Sequence, residues 1–246
     1  MSAMQNDSWA LIVPMANEEE KFSDFVSAVQ IVLDTVPYGC VYIVMDKAST
    51  DKTIILTKEL ALKDPRFVLL YVPENKNVVD AYLAGYKEAY KNGHSYFIEM
   101  DAGMSHNPAS IPMVLENLKV GTNCVFGSRF LIDSSTLRVG IKRKVLSRGG
   151  TFLSNVFLGS KLSDMTSGYE GFDRQMVGLI NQYKFKSTGH FFQTELRYIL
   201  RNYRYVEFPI HYQDPSSNVS IGSILNSIYT LLYYTRKRIF FDPVQL

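Results

Sequence analysis

The chain has 246 residues, 46% of them hydrophobic, and its 26 basic and 24 acidic side chains leave a formal charge of +2. This length and apolar content support one large α/β domain or two small ones and exclude a disordered chain, while the near-balanced charge excludes the global field of a nucleic-acid-binding protein and leaves only local basic clusters. Cys40 and Cys124 lie in apolar surroundings without metal-ligand spacing, and MSAMQNDSWA lacks the basic-then-apolar pattern of a secretory signal, so buried thiols and a cytoplasmic protein are expected.

The apolar runs Trp9–Pro14 and Cys40–Met45 read as buried strands, and the segment between them, Glu18–Thr35, places Phe22, Phe25, Val26, Val29, Val32 and Leu33 at helical spacing. The pattern repeats: a helix over Thr53–Leu62, a strand Phe67–Val72, a helix Val78–Asn92, and a strand Tyr96–Met100 that runs into Asp101. Such alternation predicts a parallel, doubly wound sheet, which binds ligands beyond the carboxyl ends of its strands. The polar residues Asn17, Glu18, Asp46, Asn75 and Asp101 follow the strands at that edge.

A helix Ile111–Leu118 and a strand Cys124–Gly127 come next, and then the alternation ends. Residues 138–148 carry Arg138, Lys142, Arg143, Lys144 and Arg148 with no acid, at the entrance of a helix over 145–157. SDMTSGYEGF reads as a loop, followed by a helix around Gln193–Asn202 and a strand Tyr205–Tyr212. No repeat, low-complexity tract or linker divides the chain, so a single domain is expected. After Ser220, residues Ile221, Ile224, Leu225, Ile228, Leu231 and Leu232 share one helical face, Ser223, Asn226, Ser227 and Thr230 face away, and Tyr233, Tyr234, Arg236, Lys237 and Arg238 complete the end. That segment is too short in apolar residues to span a bilayer. It suits a helix lying in a membrane interface, and it equally suits core packing or pairing of two copies into a homodimer.

Asp101 is the sharpest chemical feature, because a carboxylate ending an apolar strand is costly unless it binds something or caps the following turn. Glu99 points to the face opposite Met100 and need not join it. His106, in the loop beyond, is placed to reach a metal or to bond loop backbone. Asp46 ends the second strand, and Ser49, Thr50 and Asp51 give ASTDKT helix-capping character.

The ordered motifs VPMANEEE, VMDKASTDKT, MDAGMSHNP, FGSRF, LSRGGTFLSN, SDMTSGYEGF and GHFFQTELRYIL…YRYVEFPIHY together resemble the dolichol-phosphate (polyprenol-phosphate) mannose synthase branch of the family-2 glycosyltransferases. The resemblance extends from about residue 10 to residue 240. It implies an α/β fold of the GT-A type, a mostly parallel sheet flanked by helices, with residues 8–128 binding the nucleotide sugar, 129–220 binding the acceptor and 221–240 forming the amphipathic C-terminal helix. The implied reaction is inverting sugar transfer from a GDP- or UDP-sugar, with Mg²⁺ or Mn²⁺, to a lipid phosphate on the cytoplasmic face of a membrane, without nucleic acid. Pro14, Asn17, Glu18 and Asp46 match positions that hold the donor's base and ribose. Asp101, with Ala102 and Gly103, matches the DxD motif that binds metal and diphosphate, with His106 and Gln193 filling the metal's shell. Arg129 and Arg148 match arginines that grip the acceptor phosphate, and Asp164 and Glu195 match further active-site positions.

An acceptor phosphate is already ionised and needs no base, whereas a hydroxyl of a growing glycan or lipid-linked oligosaccharide would need one, and Asp164 is then the candidate. The chain departs from the family pattern at Gly103, in place of the second DxD aspartate, at Lys47 in place of an aspartate, at Ala16 in place of an aromatic and at Asn218, after Ser217, in place of a lysine. Gly103 also leaves open a nucleotide-binding homologue without catalysis.

Overall fold

The computed structural model describes residues 7–131, 141–211 and 221–240. Arg138, Ser217 and Asn218, and the side chains of Lys142, Arg143 and Lys144, lie outside the described residues. The first hundred residues alternate as the periodicity predicts: β1 (Trp9–Pro14), α1 (Phe22–Thr35), β2 (Gly39–Met45), α2 (Thr53–Lys63), β3 (Phe67–Tyr71), α3 (Val78–Lys91) and β4 (Tyr96–Glu99). There follow α4 (Ile111–Lys119), β5 (Cys124–Ser128), α5 (Ile141–Leu158), β6 (Glu170–Asp173), α6 (Arg174–Ile180), α7 (Phe191–Ile199), β7 (Tyr205–Pro209) and α8 (Ile221–Phe240).

The seven strands form one sheet in the order β3-β2-β1-β4-β6-β5-β7. All neighbouring pairs are parallel except those of β6, which runs antiparallel to both β4 and β5. Alternate residues of the central strands feed two cores, as period-2 geometry requires. Trp9, Leu11 and Val13 join Val41 and Ile43 against α1 and α4, while Ala10 and Ile12 join Tyr42 and Val44 on the opposite face with α3, α6 and α7.

The expected loop over SDMTSGYEGF is corrected at its last three residues, which with Asp173 form β6, and α6 follows. Four residues with an acid at each end carry no alternation to read. What seats the strand is a glycine: a Cβ on Gly171 would stand 2.3 Å from Val114 Cγ1, so α4 closes on bare backbone here. Asp173 then caps α6 by accepting from Met176 N at 2.8 Å. The last strand ends at Pro209 rather than Tyr212.

A candidate active site at the carboxyl edge of the sheet

Two loops meet where β1 and β2 end. Asn17 adopts φ 56°, a left-handed conformation that asparagine tolerates better than most residues. From there its Oδ1 accepts from Thr50 N at 2.8 Å and Asp51 N at 3.3 Å, and its Nδ2 donates to Ala48 O at 3.0 Å. Both ends of the Asn17 amide are thus engaged in clamping one loop to the other. Asp46 Oδ1 accepts from Ala48 N at 2.7 Å, and Asp51 Oδ1 accepts from Thr53 N, the first residue of α2, at 3.0 Å. Pro14, half-buried at the end of β1, and Glu18 remain at this edge; Glu18 lines an open cleft of about 690 Å³ with Asn17, Glu19, Glu20, Lys21 and Asp51.

Asp101 follows β4, and its side chain is 46% exposed. Tyr82 donates its hydroxyl to Asp101 Oδ1 at 2.9 Å, and His106 Nε2 lies 3.5 Å from Oδ2. Burial pushes the carboxyl up, but the hydrogen bond and charge of His106, with the Tyr82 hydroxyl, hold it below its ordinary value. A Cβ on Gly168 would sit 3.5 Å from Gln193 Nε2 and 3.6 Å from Asp101 Oδ1, so the two expected ligands face each other across a residue without a side chain. His106 itself is buried against the Tyr169 ring, at 5.4 Å between centroids. Among the described residues no three His, Cys, Asp or Glu side chains converge as a complete ligand set. Asp101, His106 and Gln193 instead offer the mixed oxygen and nitrogen donors of a partial shell, which a diphosphate would complete. At Gly103 a Cβ would lie 3.5 Å from Glu18 Oε1, so the Glu18 carboxylate flanks the position where the motif lacks its second acid; Ala102 beside it is buried in the core.

The residues beneath Asp101 escaped the sequence reading. Tyr82 and Tyr86 stand one turn apart on α3 and reach residues two apart along the chain, Asp101 just beyond β4 and Glu99 at its end: Tyr86 donates to Glu99 Oε2 at 2.7 Å. Glu99, which the sequence left free to join Asp101 or not, thus shares its side of the sheet, as i, i+2 spacing allows. It pairs in register with Glu170, and both are fully buried. Burial and the charge of Glu170 push Glu99 well above the usual carboxylate range. Burial also raises Glu170, to about 7, against the pull of Arg197. Arg197, fully buried on α7, donates Nε to Glu170 Oε1 at 2.6 Å and Nη2 to Gly127 O and Ser167 O at 3.0 and 3.1 Å, and also bonds Asp164 O.

In the acceptor half, three of the expected residues bond to one another or to neighbouring loops. Arg129 turns inward to Asp164, with Nε to Oδ2 at 2.7 Å and Nη2 to Oδ1 at 2.9 Å, and bonds Thr166 as well. Asp164 is fully buried, and although burial opposes it, the hydrogen bonds and charge of Arg129 with the charge of Arg197 hold its carboxyl at about 2. A carboxylate so placed is shielded from solvent and weakly basic, and it takes two bonds from the Arg129 guanidinium. Glu195 accepts from Lys186 N and Ser187 N, both at 2.8 Å, and from the Tyr234 hydroxyl at 2.5 Å, so it fastens a loop and α8 to α7. Arg148 is the exposed arginine of the expected pair, its guanidinium 5.3 Å from the centroid of the Phe130 ring, whose other neighbour is Arg129 at 5.4 Å.

The Asp164 pair makes acid stability predictable. Its folded pKa of about 2 lies below the ordinary 3.8, so its contribution is complete above about pH 4 and is lost as pH falls through about 2. The shift corresponds to about 2 to 3 kcal/mol. Urea unfolding across this window should show that acid limb in the wild type and a flatter one in Asp164→Asn, which also starts lower because Arg129 loses its carboxylate partner.

The family model described as Glycosyl transferase family 2 matches residues 10–179. The chain is 30% identical over 216 residues to the polyprenol monophosphomannose synthase of Mycolicibacterium smegmatis, covering 85% of this chain and 79% of that one. It is 29% identical over 201 residues to the undecaprenyl-phosphate mannosyltransferase of Micrococcus luteus, covering 81% of each. Among solved structures, glucosyl-3-phosphoglycerate synthase from Mycobacterium tuberculosis in complex with Mg²⁺ and uridine diphosphate superposes with a TM-score of 0.67 at 15% identity, over 94% of this chain and 80% of that one.

Proposed function

The chain belongs to glycosyl transferase family 2, and from that premise we propose that it transfers a sugar from a nucleotide-sugar donor to a polyprenyl phosphate, inverting the anomeric centre, while bound peripherally to the cytoplasmic face of a membrane. Its α/β sandwich is of the GT-A type, and it is a glycosyltransferase. The observation that carries the acceptor class is the burial of Asp164 in its pair with Arg129, which withholds the carboxylate that a hydroxyl acceptor would require. A phosphate monoester is ionised at neutral pH and needs no base. The relatives whose names specify polyprenol or undecaprenyl phosphate, at about the same identity over most of the chain, support the same acceptor.

In this reading an acceptor phosphate oxygen forms the bond to the anomeric carbon as the bond to the nucleoside diphosphate breaks, on the opposite face of the sugar. Asp101 and Gln193, with His106 behind them, would hold a divalent cation against the donor diphosphate. When bound, that cation supplies charge neutralisation for the leaving group. Tyr82 fixes the Asp101 carboxylate, Pro14, Glu18 and Asp46 border the nucleoside, and Arg148 meets the acceptor phosphate with a guanidinium suited to bidentate pairing. The donor is a GDP- or UDP-sugar.

The test is transfer from a panel of nucleotide sugars to a short-chain polyprenyl phosphate with Mg²⁺ or Mn²⁺. Lipid-linked product of inverted configuration that disappears with EDTA is expected. Arg148→Ala should raise the acceptor KM about tenfold, the loss of one charge-assisted contact, with the donor KM unchanged. Product on a glycan hydroxyl and none on lipid phosphate would overturn the acceptor, and donor binding without turnover on either would overturn catalysis.

A further inference from the structure

The polar side of α8 faces the protein, with Thr230 and Tyr234 fully buried. From that side α8 holds residues 186–189, the segment that leads into α7. Asn226 Oδ1 accepts from Thr188 N at 3.0 Å, and its Nδ2 donates to Lys186 O at 3.3 Å. A Cβ on Gly189 would stand 2.8 Å from Ser223 Oγ, so α8 meets bare backbone there. Tyr234 donates to Glu195 Oε1 at 2.5 Å, and with its one proton spent, the 2.7 Å contact with Tyr183 has the Tyr183 hydroxyl as donor. Glu195 in turn accepts from Lys186 N and Ser187 N. The helix, the segment and the Glu195 carboxylate therefore form one hydrogen-bonded unit.

What that unit carries is the entrance of α7. Phe192 N bonds back to Gly189 O at 2.9 Å, and the fully buried Phe192 ring stacks on Tyr82, with centroids 5.8 Å apart and planes 17° from parallel. Tyr82 is the residue whose hydroxyl fixes Asp101, and Gln193, next along α7, faces Asp101 across Gly168. On its other side the first turn of α7 is tied to the 164–168 loop, by Thr194 Oγ1 donating to Met165 O at 2.6 Å. The turn that brings Gln193 to the site is thus suspended between that loop and α8. We propose that Tyr234 and Asn226 are positioning residues for sugar transfer: through Glu195 and residues 186–189 they fix where Gln193 stands relative to Asp101, with Phe192 on Tyr82 as the pivot. Hydrogen bonds suit this task because they constrain direction as well as distance, and a supporting group left loose displaces the one that does the chemistry. The inference rests on the proposed function for the identity of the reaction.

A double-mutant cycle with Gln193 separates positioning from plain stability. Tyr234→Phe removes one oxygen and keeps the ring contacts with Tyr198 and Tyr233. It should lower kcat for transfer about tenfold with the acceptor KM unchanged, since misplacement of a group at the reacting centre is felt in turnover. In the Gln193→Ala background the same substitution should change kcat by less than about twofold, because the group it misplaces is already gone. Asn226→Ala, acting on the other anchor, should repeat the pattern, while the thermal midpoint falls equally in both backgrounds. An equal loss of kcat with and without Gln193, or no loss from either α8 substitution, would overturn the proposal. The cycle is read again in calorimetric binding of UDP and GDP with Mn²⁺, which needs no acceptor: Tyr234→Phe should weaken the Mn²⁺ enhancement only where Gln193 is present. Failure of the acceptor assignment would instead appear as absent lipid-phosphate transfer by the wild type, and the binding cycle then decides the role of Tyr234.

Discussion

Asp101→Ala should lose transfer by a factor of about 10³ or more in kcat/KM, equivalent to about 4 kcal/mol of transition-state stabilisation. The half-exposed Asp101 carboxylate is the anionic group fixed from both sides at this edge, by the Tyr82 hydroxyl at 2.9 Å and the His106 imidazole at 3.5 Å. With glycine at 103, no second aspartate of the motif takes over its charge. Calorimetric binding of the nucleoside diphosphate with and without Mn²⁺ separates the causes. In the wild type Mn²⁺ should tighten binding, and in Asp101→Ala that enhancement should vanish while the metal-free affinity stays. Mn²⁺-enhanced binding that survives in the variant would remove Asp101 from the cation site. The thermal midpoint should move little, because the lost groups border solvent.

Arg197→Met should act on stability instead, lowering it by about 3 to 5 kcal/mol, the range for removing one partner of a buried ion pair. The substitution leaves Glu170 without its 2.6 Å partner and removes the donors to the carbonyls of Gly127, Asp164 and Ser167. For a chain of this size the thermal midpoint should fall by roughly 10 °C. Adding Glu170→Gln should recover a substantial part, since the burial cost of the orphaned carboxylate disappears with its charge. A single variant as stable as the wild type, or a double variant worse than the single, would show that the guanidinium is not what holds the 164–168 loop to α7.

The parallel half of the fold was legible because strands buried on both faces are written as continuous apolar runs, Trp9–Pro14 and Cys40–Met45 among them. β6 was not, since Glu170–Asp173 owes its place to contacts made by Gly171 and by the register with β4, which no local pattern encodes. In the site, position along the chain was easier to read than partnership. The motifs located Asp164, Arg129, Glu195 and Asn17, but each spends its polar atoms on neighbours that only the folded chain brings near. The apolar stripe of α8 was equally visible in sequence. Which way it faces depended on Glu195 and Thr188 receiving its polar side.

The position of β6 also has a bearing on how the chain is made. β5 reaches the first four strands only through β6, which leaves the ribosome after it. The first four strands can assemble once about a hundred residues have emerged, but β4 then presents a bare edge until residue 173 arrives. Unpaired edges invite association between chains, and non-local pairings form slowly. During synthesis this protein therefore passes through a half-sheet stage in which protection of the β4 edge, by slow growth or by a chaperone, decides how many chains reach the native state.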